Sequence, residues 1–197
     1  MDDHAPSSAF PQLSPRKFPR QARSQSTVEA ILEGAARILR RRDTLTTNHV
    51  AQEAGVSIGS VYQYFPSAAA IVAALIDLHV GQEVEAVGVA LRSSSLDASD
   101  TIANLVQAFV EAHAVDADLA SALHYMAPQY GLSERLADIR NGQADAISNA
   151  IGRDPQSVRL AVAAVEGALL SCLADLAILD RNEVEAKLIA IATAVID

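Results

Sequence analysis

The segment Leu45-Thr46-Thr47-Asn48-His49-Val50-Ala51-Gln52-Glu53-Ala54-Gly55-Val56-Ser57-Ile58-Gly59-Ser60-Val61-Tyr62-Gln63-Tyr64-Phe65 decides the reading of this chain. Thr46 and Thr47 carry short hydroxyl side chains suited to a helix start, and Val50, Ala51 and Ala54 then share one face, which predicts a short helix over 48–54. Gly55 follows where a helix closes through the left-handed region, a conformation that penalises a Cβ. Ser57 is placed to cap a second short helix over 58–65. Two short helices joined through Gly55-Val56 have helix-turn-helix dimensions. Val50, Ala54, Val56, Val61 and Phe65 form the expected inward set. Ser57, Gly59, Ser60, Tyr62, Gln63 and Tyr64 are expected to face outward. Short polar residues at the head of such a helix let it enter a major groove roughly 12 Å wide, and tyrosine and threonine hydroxyls reach phosphates.

The flanking sequence is helical as well. Upstream, Ser26 and Glu29 have the spacing of a capping box, and Val28, Ile31, Leu32, Ala35, Ile38 and Leu39 recur at the period of one buried helix face. Downstream, Pro66-Ser67 opens a long helix to about residue 91. Further helices are expected over about 98–114, 117–126, 133–150, 155–179 and 182–196, with Pro155 in the first turn of its helix. Alternating apolar and polar runs are absent, so the fold class is all-α, with nine helices.

The chain has 197 residues, enough for one large domain or two small ones. Half of them are hydrophobic, which excludes a wholly disordered chain. The single cysteine, Cys172, excludes an internal disulfide framework and any multi-cysteine metal site. The longest apolar stretch, from Val158 to Leu179, is broken by Arg159, Glu166 and Asp175, so no membrane span is expected. With no apolar leader at the N-terminus, the expected compartment is the cytoplasm. The net charge of −9 hides an asymmetry. Residues 16–65 hold eight basic side chains against four acidic ones, whereas residues 81–197 hold seven against seventeen. Either the basic segment alone meets a polyanion or it is a solvated basic stretch without a partner. Residues 1–23, with Pro6, Pro11, Pro15 and Pro19, read as a disordered basic arm carrying Arg16, Lys17, Arg20 and Arg23.

Catalytic motifs are missing: there is no nucleophile elbow, phosphate loop, dinucleotide fingerprint or zinc-protease signature. The five histidines, at positions 4, 49, 79, 113 and 124, lack ligand spacing along the chain. Neither an enzyme, a cofactor nor a metal is expected.

The 45–65 segment resembles the DNA-binding signature of the tetracycline-repressor (TetR) family, and the match extends over about Ser26 to Leu75. The resemblance implies a two-domain regulator with a helix-turn-helix three-helix bundle at 24–70 and an effector-binding and dimerisation domain at 71–197. It further implies a homodimeric transcription regulator, usually a repressor, that binds a near-palindromic double-stranded DNA operator and responds to a small-molecule effector. On this resemblance Thr47 and Tyr62 hold the phosphate backbone with Tyr64 beside them. Asn48, Ser57, Ile58, Gly59, Ser60 and Gln63 lie toward the DNA, with Gln63 suited to adenine and Ile58 to a thymine methyl. Ile58 is equally in register with Val61 and Phe65 as core. Arg20 and Arg23 abut the domain and are suited to a minor groove or to phosphates. One departure is clear: where the family usually has a lysine followed by glutamate, this chain has Ala68-Ala69. A lost lysine removes one phosphate contact per subunit, so the alternative is a helical small-molecule-binding protein with weakened or lost DNA binding.

In the C-terminal half, Ala161, Ala164, Ala168, Ser171 and Cys172 put small residues on one side of the eighth helix. Beside them run Val162, Val165, Leu169, Leu173 and Leu176. With Leu188, Ile189, Ile191, Ala192 and Val195 of the ninth helix they suit a two-fold four-helix bundle, or else bury each other within one chain. Candidate effector contacts are Phe109, His113, Tyr125, Met126, Tyr130 and Glu166, polar and aromatic groups set in apolar surroundings.

Overall fold

The computed structural model describes residues 22–93, 98–175 and 178–197. Among them the chain forms nine α-helices and no strand, in the order α1 Ala22–Arg40, α2 Thr47–Ala54, α3 Ile58–Tyr64, α4 Ala68–Ser93, α5 Ala98–Ala114, α6 Ala117–Met126, α7 Ser133–Ile151, α8 Pro155–Cys172 and α9 Arg181–Ile196. The chain divides into two compact units, one of residues 1–77 with 129–131 and one of residues 78–128 with 132–197. No single helix among the described residues is long and apolar enough to cross a membrane.

In the first unit α1 buries Ile31, Ala35, Ile38 and Leu39 completely. The sequence pattern placed its start at Ser26, but the helix begins at Ala22, so Ser26 and Glu29 lie inside it and do not form the expected capping box. Residues 22–25 are acceptable helix formers with no breaker among them, and the capping pattern is equally compatible with a helix interior. The greater part of the expected arm, including Arg16, Lys17 and Arg20, lies outside the described residues. Arg23 falls within the first turn of α1. Gly34 sits where α1 meets α2: a Cβ there would come to 3.0 Å from the Ala54 backbone nitrogen and 3.1 Å from the Ala54 Cβ. The missing side chain therefore sets the approach of the two backbones.

In the second unit α8 lies against both α7 and α9, and α9 also against α5. Val110, Ala144, Val158 and Leu169 are fully buried between them. α7 closes at Gly152 with φ 64°, and Asp154 caps α8 by accepting from the Ser157 amide at 2.8 Å. The apolar pattern predicts α8 as far as 179, yet it ends at Cys172 and passes into a 3-10 turn over Leu173–Asp175. The Asp175 carbonyl accepts the amides of Ile178 and Leu179 at 2.9 and 3.0 Å, and Asp180 caps α9. Apolar periodicity continues through this reversal because Leu173 is itself core, so the pattern alone does not mark the helix end.

Helix propensity alone makes Gly34→Ala stabilising by about 1 kcal/mol. The contact with Ala54 reverses the sign, with a net loss of about 1–2 kcal/mol expected from overpacking against rigid backbone. Urea denaturation of the two proteins reads that sign directly.

Candidate nucleic-acid interface

The helix pair of the first unit is built from local capping and a few buried anchors. Thr46 Oγ1 accepts from the His49 amide at 3.1 Å and starts α2. Gly55 ends it at φ 67°, and the Val56 amide donates to the Ala51 carbonyl at 3.0 Å. Ser57 Oγ accepts from the Ser60 amide at 3.0 Å and lies 2.8 Å from the Ser60 hydroxyl, fixing the first turn of α3. Val61 and Phe65 are completely buried, which orients the short helix.

That orientation leaves Ser57, Ile58, Gly59, Tyr62 and Gln63 exposed, with Ser60 half-buried. Ile58, in register with the core by spacing, is 38% exposed and belongs to the outward row. Tyr64 is the correction: it was expected to face outward, but it is only 8% exposed and packs into the core with Val61 and Phe65. In a helix of seven residues, the position three after Val61 returns to the buried face. Thr47 Oγ1 lies 3.1 Å from the Tyr62 hydroxyl, so the two side chains expected at the phosphate backbone form one hydrogen-bonded pair at the surface. Asn48 is exposed in the first turn of α2, and His49 Nδ1 faces the Thr44 carbonyl at 3.3 Å.

The arginines at the end of α1 are tied to neighbouring acids. Arg37 Nε donates to Glu53 Oε1 at 3.0 Å and its Nη2 to the Glu53 carbonyl at 2.9 Å. Arg41 Nη2 reaches Glu53 Oε2 at 3.0 Å, and Arg40 pairs with Glu33. The hydrogen bond from Arg41, more than offsetting partial desolvation, holds the Glu53 carboxyl below its ordinary range. The ties to Glu53 brace the end of α1 against α2, whereas the Arg40–Glu33 pair lies within α1.

The candidate effector residues do not form one group. Tyr130 belongs to the first unit, where its hydroxyl donates to the Leu45 carbonyl at 3.2 Å. Tyr125 is 68% exposed, because it lies on the outer side of α6, opposite the buried Leu123 and Met126. Phe109 lines an apolar cavity of about 60 Å³ with Ile102, Leu105, Ile147, Val158 and Val165. Glu166 accepts a hydrogen bond from Arg140 Nη1 at 2.6 Å and lies 3.6 Å from His124 Nδ1. His113 is completely buried, and beside it stand His79, Glu83 and His124. Along the chain these histidines are scattered. The only local signal was the His79–Glu83 spacing of four, which puts both on one face of α4. The contacts to His113 on α5 and His124 on α6 arise only from helix packing.

Residues 31–75 match the family model described as bacterial regulatory proteins, tetR family. The helix-turn-helix segment therefore carries a domain of the tetR-family type. The chain's fold is similar to solved structures over nearly its whole length. A TetR transcriptional regulator from Rhodococcus sp. RHA1 is 20% identical, with 88% of this chain and 97% of that chain covered and a TM-score of 0.61. The fatty acid degradation regulator FadR from Bacillus halodurans is 12% identical, covering 91% and 97%, with a TM-score of 0.68. The multidrug binding protein EbrR, complexed with imidazole, is 21% identical, covering 91% and 94%, with a TM-score of 0.69. No curated protein matches the sequence. The helix-turn-helix thus lies within the tetR-family domain, and the fold beyond it is that of solved TetR-family regulators.

Because α3 is so short, its cap carries an unusual share of its order. Ser57→Ala is expected to cost about 1 kcal/mol, and Ser57→Gly only a few tenths. Amide hydrogen exchange over residues 58–64 distinguishes the two substitutions.

Proposed function

We propose that the chain is a repressor that binds a near-palindromic operator as a homodimer and is released by a small-molecule effector. The observation that carries this reading is the outward row of α3, with Ile58, Gly59, Tyr62 and Gln63 presented above a buried Val61 and Phe65. Small and polar groups at the head of the helix admit it to a major groove. The Thr47–Tyr62 pair supplies hydroxyls for phosphate oxygens, Asn48 and Gln63 supply amides for base edges, and Ile58 supplies a methyl contact. Arg20 and Arg23 extend the contact toward phosphates or the minor groove.

Dimerisation through α8 and α9 is supported by a groove along them where Ala168, Ser171 and Cys172 are small enough for close helix approach beside Leu188 and Ile191, with Asp180, Glu183 and Lys187 at its polar edge. Effector release is a population shift: an effector that favours the arrangement with the wrong recognition-helix spacing lowers operator affinity by the ratio of its two affinities. The apolar cavity around Phe109 is the proposed seat of that effector.

The test is selection from random duplex DNA followed by anisotropy titration at two salt concentrations. A palindrome with a steep salt dependence is the expected result. A chain that stays monomeric at micromolar concentration and enriches no sequence refutes the reading. Tyr62→Phe is expected to weaken binding about 5- to 10-fold on every sequence, since one hydroxyl contact contributes about 1 kcal/mol. Gln63→Ala is expected to relax preference at one base pair per half-site. Ala68 and Ala69 stand at the first turn of α4, where Ser67 Oγ accepts from the Ala70 amide at 3.2 Å. Ala68→Lys therefore adds a cation at this turn and is expected to steepen the salt slope by about one unit per added phosphate contact. Ile191→Arg is expected to turn dimers into monomers in sedimentation velocity.

A further inference from the structure

We propose that His79, Glu83, His113 and His124 form a buried binding site for one divalent first-row transition-metal ion of the zinc class. The four ligand atoms, one from each residue, all lie within 4.8 Å of one another. Glu83 Oε1 is 2.9 Å from His79 Nε2 and 3.2 Å from His113 Nε2. Bonds of about 2.0–2.1 Å to a tetrahedral ion place ligand atoms about 3.3 Å apart, so small side-chain rotations close the set. Three imidazole nitrogens and one carboxylate oxygen make a borderline donor set, which suits zinc, cobalt or nickel and disfavours magnesium and calcium.

The polar atoms at the centre have no directed partner. Among the described residues, His79 Nε2, Glu83 Oε1 and His113 Nε2 are buried without a hydrogen bond, although they stand at ion-pair distance from one another. Unpartnered polar atoms are costly in a core, and a shared cation satisfies all three at once. The surroundings also prepare the ligands. The Phe109 carbonyl lies 3.0 Å from His113 Nδ1 and can only accept, so the proton sits on Nδ1 and the Nε2 lone pair is bare toward the cluster. Glu166 faces His124 Nδ1 and is itself held by Arg140, a carboxylate behind a histidine that favours the same tautomer. Burial, foremost, pulls the His113 and His124 imidazoles below their ordinary range, toward the neutral form a metal requires. None of the four residues lines the apolar cavity, whose wall residue Phe109 packs against His113.

The experiment uses the full chain without an affinity tag, stripped with chelator. Zn²⁺ alone is titrated by calorimetry, and Co²⁺ alone by visible absorption. One ion per chain is expected, with the visible bands of a four- or five-coordinate cobalt site. Glu83→Gln and His124→Gln are each expected to weaken Zn²⁺ binding by more than about 100-fold, the upper end of what loss of a mere supporting contact costs. His124 is the least buried ligand, so its variant keeps the helical circular dichroism if the other fails to fold. His49→Gln, outside the cluster, is expected to bind as the parent does. A folded parent chain that takes up no stoichiometric ion overturns the proposal. So does an ion retained at parental affinity by a folded His124→Gln, which places it elsewhere. The readout involves no DNA, so its failure is independent of the operator reading.

Discussion

The seven residues of α3 keep their helical form because Ser57 caps the first turn and Val61 and Phe65 are sunk completely into the core of the first unit. A helix this short is unstable in water, since nucleation costs more than a few turn hydrogen bonds return. Its outward face is consequently as well defined as its inward anchors and no better. The same dependence extends to α2, which is held by the Gly34 approach and by the arginine ties to Glu53. The outward row of this unit is therefore a by-product of core packing: moving Val61 or Phe65 rotates Tyr62 and Gln63 with them.

Much of this unit was legible in the sequence because its determinants are local. Thr46, Gly55 and Ser57 act on backbone groups within four residues, so each announces its own role. Tyr64 and Ile58 were harder, because a helix of two turns gives a periodicity too brief to fix which side is inward. An aromatic ring and a branched aliphatic then exchange places without altering the pattern. The end of α8 was obscured for a related reason: apolar residues on both sides of a reversal serve the same core.

The second unit was legible as helices but not as a site. His79 and Glu83 announce a shared helix face, whereas His113 and His124 come from other helices and carry no spacing that connects them. Glu166 was visible as a polar break in an apolar stripe, and its partner Arg140, 26 residues away, was not. Side chains gathered by tertiary packing have no one-dimensional signature, and that is where a functional cluster escapes pattern reading. Tyr125 and Tyr130 show the converse error, since neighbours in sequence were divided between solvent and a different unit.

The arginine pairs of the first unit bear on how a regulator of the proposed kind would search a genome. Arg37, Arg40 and Arg41 supply three of the eight basic groups in the 16–65 segment, and Glu33 and Glu53 hold all three. Charge neutralised within a fold releases few counterions from a duplex, so it adds little to adhesion on arbitrary sequence. Arg37, Arg40 and Arg41 stay partly exposed while paired, so on the proposed reading duplex phosphates compete with Glu33 and Glu53 for them, and discrimination between sites falls to shape and base contacts.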